Sequence, residues 1–243
     1  MVAHFAKPIP SETVVTAGGE TVRIAVRVNA RSRSYRLTLP HRGGPVLTLP
    51  RRGRWSEAEA FLKRQLPWLA ARLKRAERPV EFAHGATIAL RGEPHRIVST
   101  GTARGRIAEA VENGEAMLLV PGAPEHLPRR LVDWLKAEAR ADLEVRVPVH
   151  AATLGVNVKS IAMRSQSTRW GSCSSAGRLN FNWRLVLAPP FVLDYVAAHE
   201  VAHLIEMNHS PAFWRVVERS LPDMARGRAW LRAHGTTLMA YEC

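Results

Sequence analysis

The chain has 243 residues, of which 46% are hydrophobic and 23% are charged, a composition typical of a globular protein. It contains no run of about 18 apolar residues and no apolar signal-peptide core near its start, which argues against a membrane-spanning protein and favours the cytoplasm. The two cysteines exclude a disulfide framework, and the formal net charge of +14 points to an acidic partner.

The positive charge is concentrated in the first third of the chain. Residues 1–78 hold 16 of the 35 Lys and Arg residues but 5 of the 21 Asp and Glu residues. Such a basic region is typical of proteins that bind nucleic acid. However, the chain has 30 arginines and 5 lysines, a ratio that a GC-rich genome also produces. The arginines also lack the interleaved aromatic residues of a platform for single strands. Nucleic acid is therefore one candidate partner of residues 1–78.

Residues 21–50 are predicted to form β-strands. The segment 21–30 alternates apolar and polar residues, and two shorter apolar segments, 34–40 and 45–50, flank a turn signal with two glycines. This pattern predicts a small antiparallel meander. A helix follows, with Ser56 as its predicted N-cap, and leucines at helical spacing continue to about residue 78.

The remainder of the chain is predicted to combine strands and helices. Short strand-like segments lead to a turn-rich stretch with three prolines, where we place a domain boundary. This boundary separates a basic β-rich N-terminal part with one helix, residues 1–122, from a C-terminal domain, residues 123–243. The C-terminal domain is predicted to contain an amphipathic helix that ends near Pro148 and strands at 158–164 and 178–188. The predicted fold class is therefore α+β.

The segment Phe191–Trp214 carries the pattern that predicts chemistry. His199 and His203 lie four residues apart, so a helix places them on one face about 6 Å apart, where both imidazoles can bind one zinc ion. Glu200 follows the first histidine directly and can take a proton from a water that the metal polarises. This is the HExxH arrangement of zinc proteases.

His209 is the predicted third ligand. For its side chain to reach the metal, the helix must end near Asn208, a residue that tolerates the left-handed conformation at a helix end. Ser210 and Pro211 then match the cap and the first residue of the next helix. The end of one helix, the ligand and the start of the next helix thus occupy four consecutive residues.

Two glutamates are alternatives to His209 as the third ligand. Glu206 shares the face of the two helical histidines, but it lies about 10 Å from His199 along the helix axis, which is too far for one tetrahedral ion. Glu218, on the following helix, is the second alternative. A supporting or structural role suits Glu206 better than direct coordination.

Two motifs, RWGSCSS at Arg169–Ser175 and HExxHLxExNHSxxFW at His199–Trp214, extend this pattern. Together they resemble the YgjP-like metallopeptidase family, a distant relative of the WLM and SprT-like zinc proteases. The resemblance is specific over the C-terminal third of the chain and loose over the front. It implies a zincin-like core of helices on a small antiparallel sheet. It also implies one zinc ion on the three histidines named above and a catalytic glutamate at Glu200.

The RWGSCSS loop has two interpretations. It either borders a cleft beside an edge strand that pairs with extended peptides, with Arg169 stabilising the oxyanion, or it is a structural turn. The candidate edge strands are 178–187 and 158–164. Cys173 is predicted to be a small buried cysteine, with a thiolate beside zinc as the alternative. Tyr195 either donates a hydrogen bond to the transition state or packs beneath the metal.

The sequence therefore predicts a zinc-dependent hydrolase, with peptide or protein as substrate. Two alternatives stay open. One is hydrolysis of a nucleotide phosphoanhydride at the same metal site, where arginines would offset phosphate charge. The other is a nucleic-acid-associated protease or binding module. The remaining histidines, among them His95 and His150, lack ligand spacing and are predicted at the surface or in loops. The oligomeric state does not follow from the sequence.

Overall fold

The computed structural model describes residues 8–40, 43–75 and 81–241. The chain divides into two compact units, Met1–Arg78 and Pro79–Cys243. Within the described ranges, no helix combines the length and the apolarity that a membrane span requires. The α+β fold class predicted from the sequence is confirmed, and so is a β-rich N-terminal part.

The N-terminal unit is a four-stranded sheet with one helix. Its elements are β1 (Glu12–Ala17), β2 (Glu20–Asn29), β3 (Arg36–Thr38), β4 (Val46–Pro50) and α1 (Trp55–Arg75). The strand order is β1-β2-β4-β3, in which β2 and β4 are parallel and the other two pairs are antiparallel. The predicted antiparallel meander is therefore wrong, because the chain leaves β2, passes the end of β4 and returns through β3.

The core of this unit explains the pairing. The two central strands, β2 and β4, direct apolar residues towards α1, among them Ile24 and Leu47, which are both fully buried. Placing the two most apolar strands side by side under the helix buries the most apolar surface. α1 begins at Trp55, so Ser56 lies within its first turn instead of capping it. The predicted extension of the helix over 76–78 lies outside the described residues.

The first sheet of the C-terminal unit shares a core with a long helix. Its strands are β5 (Thr87–Leu90), β6 (Glu93–Ser99), β7 (Ala108–Glu112) and β8 (Glu115–Val120), in the order β5-β6-β8-β7. Buried residues of this sheet, such as Ile97 and Leu118, belong to the same hydrophobic cluster as Leu131 and Leu135 of α2 (Leu127–Leu154). A boundary after residue 122 would cut this core, whereas the division into two compact units falls after Arg78.

The second sheet of this unit is small and mixed. It consists of β9 (Ser160–Arg164), β10 (Gly171–Cys173) and β11 (Arg178–Asn182), in the order β10-β11-β9. β10 and β11 are antiparallel, whereas β9 and β11 are parallel. The resemblance implied a small antiparallel sheet. The observed sheet is mixed, because its β9–β11 pair is parallel. Its order leaves β10 at one edge.

Three further helices follow: α3 (Pro190–Ala202), α4 (Pro211–Ser220) and α5 (Met224–Met239). α3 is the most deeply buried of the three, since nine of its 13 residues are buried. Gly227 lets α5 approach α3 closely, because a Cβ built on this glycine would lie 2.4 Å from the Cβ of Tyr195. Pro190 occupies the first turn of α3, where its missing N–H costs no helical hydrogen bond. The buried position of α3 gives its side chains a rigid support.

A partly buried polar network joins α2 to α3. Asp194 accepts two hydrogen bonds from Arg146, at 2.6 and 2.8 Å, and lies 2.8 Å from Nε2 of His150. The other ring nitrogen of His150 lies 2.6 Å from the hydroxyl of Ser220. Burial raises the pKa of Asp194, but the hydrogen bonds from His150 and Arg146 outweigh this and hold it below its usual range. His150 is 1% exposed and His95 is 8% exposed, so the prediction that they lie at the surface or in loops is wrong.

Candidate metal centre

Three histidines converge at the C-terminal end of α3. His199 and His203 lie one turn apart, and His209 approaches from the segment that joins α3 to α4. Their candidate ligand nitrogens all lie within 4.8 Å of one another, and the Nε2 atoms of His199 and His209 are 3.0 Å apart. Two nitrogens bound to one tetrahedral zinc ion are about 3.4 Å apart. Among the described residues, no other set of three histidine, cysteine or acidic side chains has this spacing.

The local chain path presents the third histidine. α3 ends at Ala202, earlier than predicted, but His203 keeps helical angles (φ −63°, ψ −15°) and so stays one turn from His199. Asn208 does not have a positive φ, so the predicted left-handed helix end is wrong. Ser210 caps α4 as predicted, and its side chain accepts a hydrogen bond from the Phe213 N–H at 3.3 Å. This cap fixes the residue that follows His209.

The protonation and orientation of the imidazoles suit metal binding. Nδ1 of His203 lies 3.1 Å from the backbone carbonyl of Glu206, so Nδ1 donates and Nε2 is left available to a metal. Glu206 therefore acts through its backbone, and neither its carboxylate nor that of Glu218 belongs to the cluster. Burial lowers the pKa of His199 to about 3, and the neighbouring His203 and His209 add to this shift. The neutral imidazole is the form that binds metals.

An aromatic side chain supports all three imidazoles. The ring of Phe213 lies 4.8, 4.5 and 4.8 Å from the rings of His199, His203 and His209, measured between centroids. Phe213 is fully buried, so it holds the histidines against a rigid apolar surface. Phe213 was not among the residues predicted to serve the site. The sequence feature that could have predicted this support is the position of Phe213 in the first turn of α4, three residues after the capping Ser210.

Glu200 is buried beside the three histidines and faces β10. It is 5% exposed, and its Oε2 atom has no hydrogen-bond partner among the described residues. A Cβ built on Gly171 would lie 2.4 Å from Oε1 of Glu200, so only glycine leaves room for the carboxylate. Burial raises the pKa of Glu200 to about 8, against a smaller lowering by the charge of Arg169.

A cleft of about 590 Å³ opens above the histidines. Its walls come from α3, from α5 and from the RWGSCSS loop with β10. Three arginines line it, Arg169, Arg228 and Arg232, and Glu200 is the one carboxylate among its lining residues. The guanidinium of Arg228 lies 4.1 Å from the centre of the Trp214 ring, which fixes its position. The cleft is therefore positively charged even before a metal is bound.

The RWGSCSS loop borders this cleft. The edge strand at the cleft is β10, and neither predicted segment is that edge: 178–187 contains the central strand, and 158–164 contains the strand at the far edge of the sheet. Asn182 holds the loop in place, since its fully buried amide donates hydrogen bonds to the backbone oxygens of Gln166 and Arg169 at 2.7 and 3.3 Å.

The remaining candidate residues also lie at the cleft. Arg169 is exposed there. Tyr195 is 7% exposed, its ring centroid lies 5.9 Å from that of His199, and burial raises the pKa of its hydroxyl. Cys173 is half-buried and outside the histidine cluster. Burial and, to a smaller extent, the charge of Glu200 raise the pKa of Cys173 to about 11, so it is a protonated thiol at neutral pH.

Comparison with known proteins adds a family match. The family model described as YgjP-like, metallopeptidase domain, matches residues 33–234 of this chain. Among solved structures, the chain is similar to the metallopeptidase zymogen of Pyrococcus abyssi abylysin, with 22% sequence identity and a TM-score of 0.36. This similarity covers 42% of this chain and 99% of that chain. No match was found among curated proteins.

Proposed function

This chain belongs to the YgjP-like metallopeptidase family, and from that premise we propose that it hydrolyses peptide bonds with one zinc ion held by His199, His203 and His209. A metallopeptidase requires a divalent metal, and neutral imidazoles are a donor set that suits zinc. Bound there, the metal would supply Lewis-acid polarisation and lower the pKa of water to about 7. The observation that carries the proposal is the convergence of the three ligand nitrogens within 4.8 Å beside a buried carboxylate.

Glu200 is assigned the proton transfers. Its Oε2 atom is buried without a protein partner among the described residues, and the Glu200 side chain lines the cleft beside the three histidines. As general base it takes a proton from the attacking water, and as general acid it returns the proton to the leaving amine. Arg169 and Tyr195 are assigned the stabilisation of negative charge on the substrate carbonyl oxygen, because both line the same cleft and both carry hydrogen-bond donors.

β10 is assigned the binding of the substrate backbone. It is an edge strand of a three-stranded sheet, so the edge that does not pair with β11 can accept an extended peptide as an additional strand. Gly171, its first residue, also keeps space for Glu200. A peptide paired with β10 would therefore lie directly beside the proposed base.

The experiment compares the metal content and the peptidase activity of the full chain with those of single-residue variants. We expect one zinc per chain in the wild type and in Glu200→Gln, and loss of zinc in His199→Ala and His209→Ala. Glu200→Gln should lower kcat on an unstructured protein substrate by about 10²–10⁴-fold, the usual contribution of a general acid–base. Glu218→Gln is the matched control and should keep both zinc and activity. Zinc retained in His209→Ala, or full activity in Glu200→Gln, would refute the assignment.

The three cleft arginines favour a second candidate function, hydrolysis of a nucleotide phosphoanhydride at the same metal site. Arg228 and Arg232 project one turn apart from α5, and Arg169 precedes β10. Guanidinium groups bind phosphate oxygens with two parallel hydrogen bonds, which favours a triphosphate in this cleft. Phosphate release from nucleoside triphosphates tests this candidate. If that activity depends on Glu200, is weakened by Arg228→Gln, and peptide hydrolysis is absent, this candidate replaces the first.

A further inference from the structure

One end of the N-terminal sheet carries a surface that the metal centre does not explain. Seven exposed arginines lie there, at the ends of β2 and β3 and on the loops that follow β2 and β4: Arg27, Arg31, Arg33, Arg36, Arg51, Arg52 and Arg54. We propose that this arginine surface binds the phosphate backbone of nucleic acid. The proposal is independent of the hydrolytic activity.

The strand pairing brings these arginines together. β2 and β4 are parallel neighbours, so the loops that follow them, 30–35 and 51–54, leave the sheet at the same end. To reach β3 on the far side of β4, the first loop must pass the end of β4. Tyr35 joins the two loops: its hydroxyl accepts a hydrogen bond from the Arg54 N–H at 2.9 Å and donates one to the carboxylate of Glu57 at 2.6 Å.

Two of the arginines form a row across the sheet. The register places Arg27 opposite Thr48, and Thr48 opposite Arg36. Two interstrand spacings separate the Cα atoms of the two arginines by about 10 Å. The face they share lies opposite the face that packs on α1, since the alternate residues of β2 are buried. Both guanidinium groups therefore project to solvent on the same side of the sheet.

The seven arginines lack carboxylate partners in the part of the chain that the structure describes. Within the described ranges, none of the seven arginines forms an ion pair, whereas Arg23 on the same sheet pairs with Glu12 at 2.9 Å. The nearby Glu57 is already bound by Tyr35. Residues 21–56 contain nine arginines and no aspartate or glutamate. A GC-rich genome explains arginine in place of lysine, but it does not explain the absence of acidic residues.

The chemistry of the surface selects the partner. Seven like charges repel one another, so a bound polyanion offsets a cost that the folded unit otherwise carries. Arginine binds phosphate with a planar pair of donors, and its contacts with a phosphate backbone are independent of base sequence. The aromatic residue of the surface, Tyr35, is half-buried with its hydroxyl engaged, so bases find no stacking platform. We therefore expect sequence-independent binding of duplex DNA that depends steeply on salt.

The test measures the affinity of the full chain for a labelled duplex of about 20 base pairs by fluorescence anisotropy, between about 50 and 300 mM salt. Each phosphate contact contributes a slope of about −0.9 to the plot of log affinity against log salt concentration. Four loop arginines are changed to glutamine together: Arg31, Arg33, Arg51 and Arg52. At about 100 mM salt, we expect the affinity of this variant for the duplex to fall at least about 10-fold. We also expect the slope of log affinity against log salt concentration to become shallower by about 3 to 4.

The matched control changes four exposed arginines outside this unit and outside the cleft: Arg104, Arg106, Arg215 and Arg219. It alters the net charge equally and should leave the slope unchanged. Lysine at the four loop positions should keep the slope, since the charge is retained. Circular dichroism melting checks that each variant is folded, and Arg33→Glu alone provides a second, milder change with the same expected direction.

Three outcomes would overturn the proposal. The first is no binding by the wild type at the lowest salt concentration. The second is an equal loss of affinity in the two quadruple glutamine variants, which would reduce the effect to net charge. The third is displacement of the duplex by polyglutamate as efficiently as by unlabelled duplex of equal charge, which would assign the surface to an acidic protein.

Discussion

Replacing Gly171 with alanine tests the placement of the proposed base. The added Cβ would lie 2.4 Å from Oε1 of Glu200 and 2.6 Å from its Cδ and Cγ. Non-bonded carbon atoms attract each other best at about 3.5–4.0 Å, so the carboxylate or β10 must move by about 1 Å. Glu200 is 5% exposed and lies on the deeply buried α3, so its side chain has few alternative positions.

The expected loss is larger for catalysis than for stability. Displacement of a catalytic group by about 1 Å costs about 10²-fold in rate, and overpacking of this kind costs about 1–3 kcal/mol of unfolding free energy. For a chain of this size, each kcal/mol lowers Tm by about 2–4 °C. The zinc content should be unchanged, because the three histidines rest on Phe213 and not on Gly171.

The assay combines kcat on an unstructured protein substrate, zinc content and thermal unfolding. Gly44→Ala is the matched control, since its added Cβ has a nearest contact at 3.4 Å, to the backbone oxygen of Arg23. This control should keep wild-type activity. Full activity in Gly171→Ala would refute the contact between β10 and Glu200. Loss of zinc together with activity would trace the effect to the metal ligands instead of the base.

Three further predictions concern the support of the site. Ser210→Ala removes the cap of α4 beside His209, so the free energy of unfolding should fall by about 1 kcal/mol. Zinc should also be lost to a chelator more readily. The control is Ser167→Ala, at an exposed position. Asp194→Asn should lower the unfolding free energy at pH 6 by about 1–3 kcal/mol, less than for a fully buried pair because Arg146 is 39% exposed. The folded-state pKa of Asp194 lies below its unfolded value of about 4. The stabilisation is therefore complete above about pH 4 and is lost as the pH falls through the folded-state pKa. The unfolding free energies of the wild type and the variant, measured in urea, should converge in acid. Asn182→Ala should cost about 1–3 kcal/mol in urea unfolding and lower kcat while zinc remains bound, because the freed loop carries Arg169 and leads into β10.

The parts of the site that follow from the sequence are those whose geometry is local. A helix alone brings His199 and His203 to one face, and the capping pattern at Ser210 follows from a few neighbouring residues. The details of the helix end did not follow: α3 stops at Ala202, and the chain reaches His209 without a left-handed Asn208. Several conformations connect two such helices, and single-residue preferences do not choose among them.

The parts that did not follow depend on contacts between distant segments. From the sequence, Gly171 is indistinguishable from an ordinary turn glycine. Its contact with Glu200, 29 positions later in the chain, follows only from the position of β10 in the folded protein. The burial of His150 was not predicted, because its hydrogen-bond partners, Asp194 and Ser220, lie far along the chain. The parallel pairing of β2 with β4 is non-local in the same sense, since alternation of apolar residues marks strands but not their neighbours.

The candidate ligands are close together in the sequence, whereas the proposed base is positioned by a distant strand. Metal binding and catalysis should therefore respond to different changes. The three candidate ligands lie within eleven consecutive residues on a helix end that Phe213 and the Ser210 cap support. The proposed base is held in place by β10, whose position depends on Asn182 and on pairing with β11. Changes in β10 should therefore abolish hydrolysis while zinc remains bound, whereas changes in α4 should release zinc first. The arginine surface belongs to a unit with a separate hydrophobic core, so its loss of charge should affect neither property.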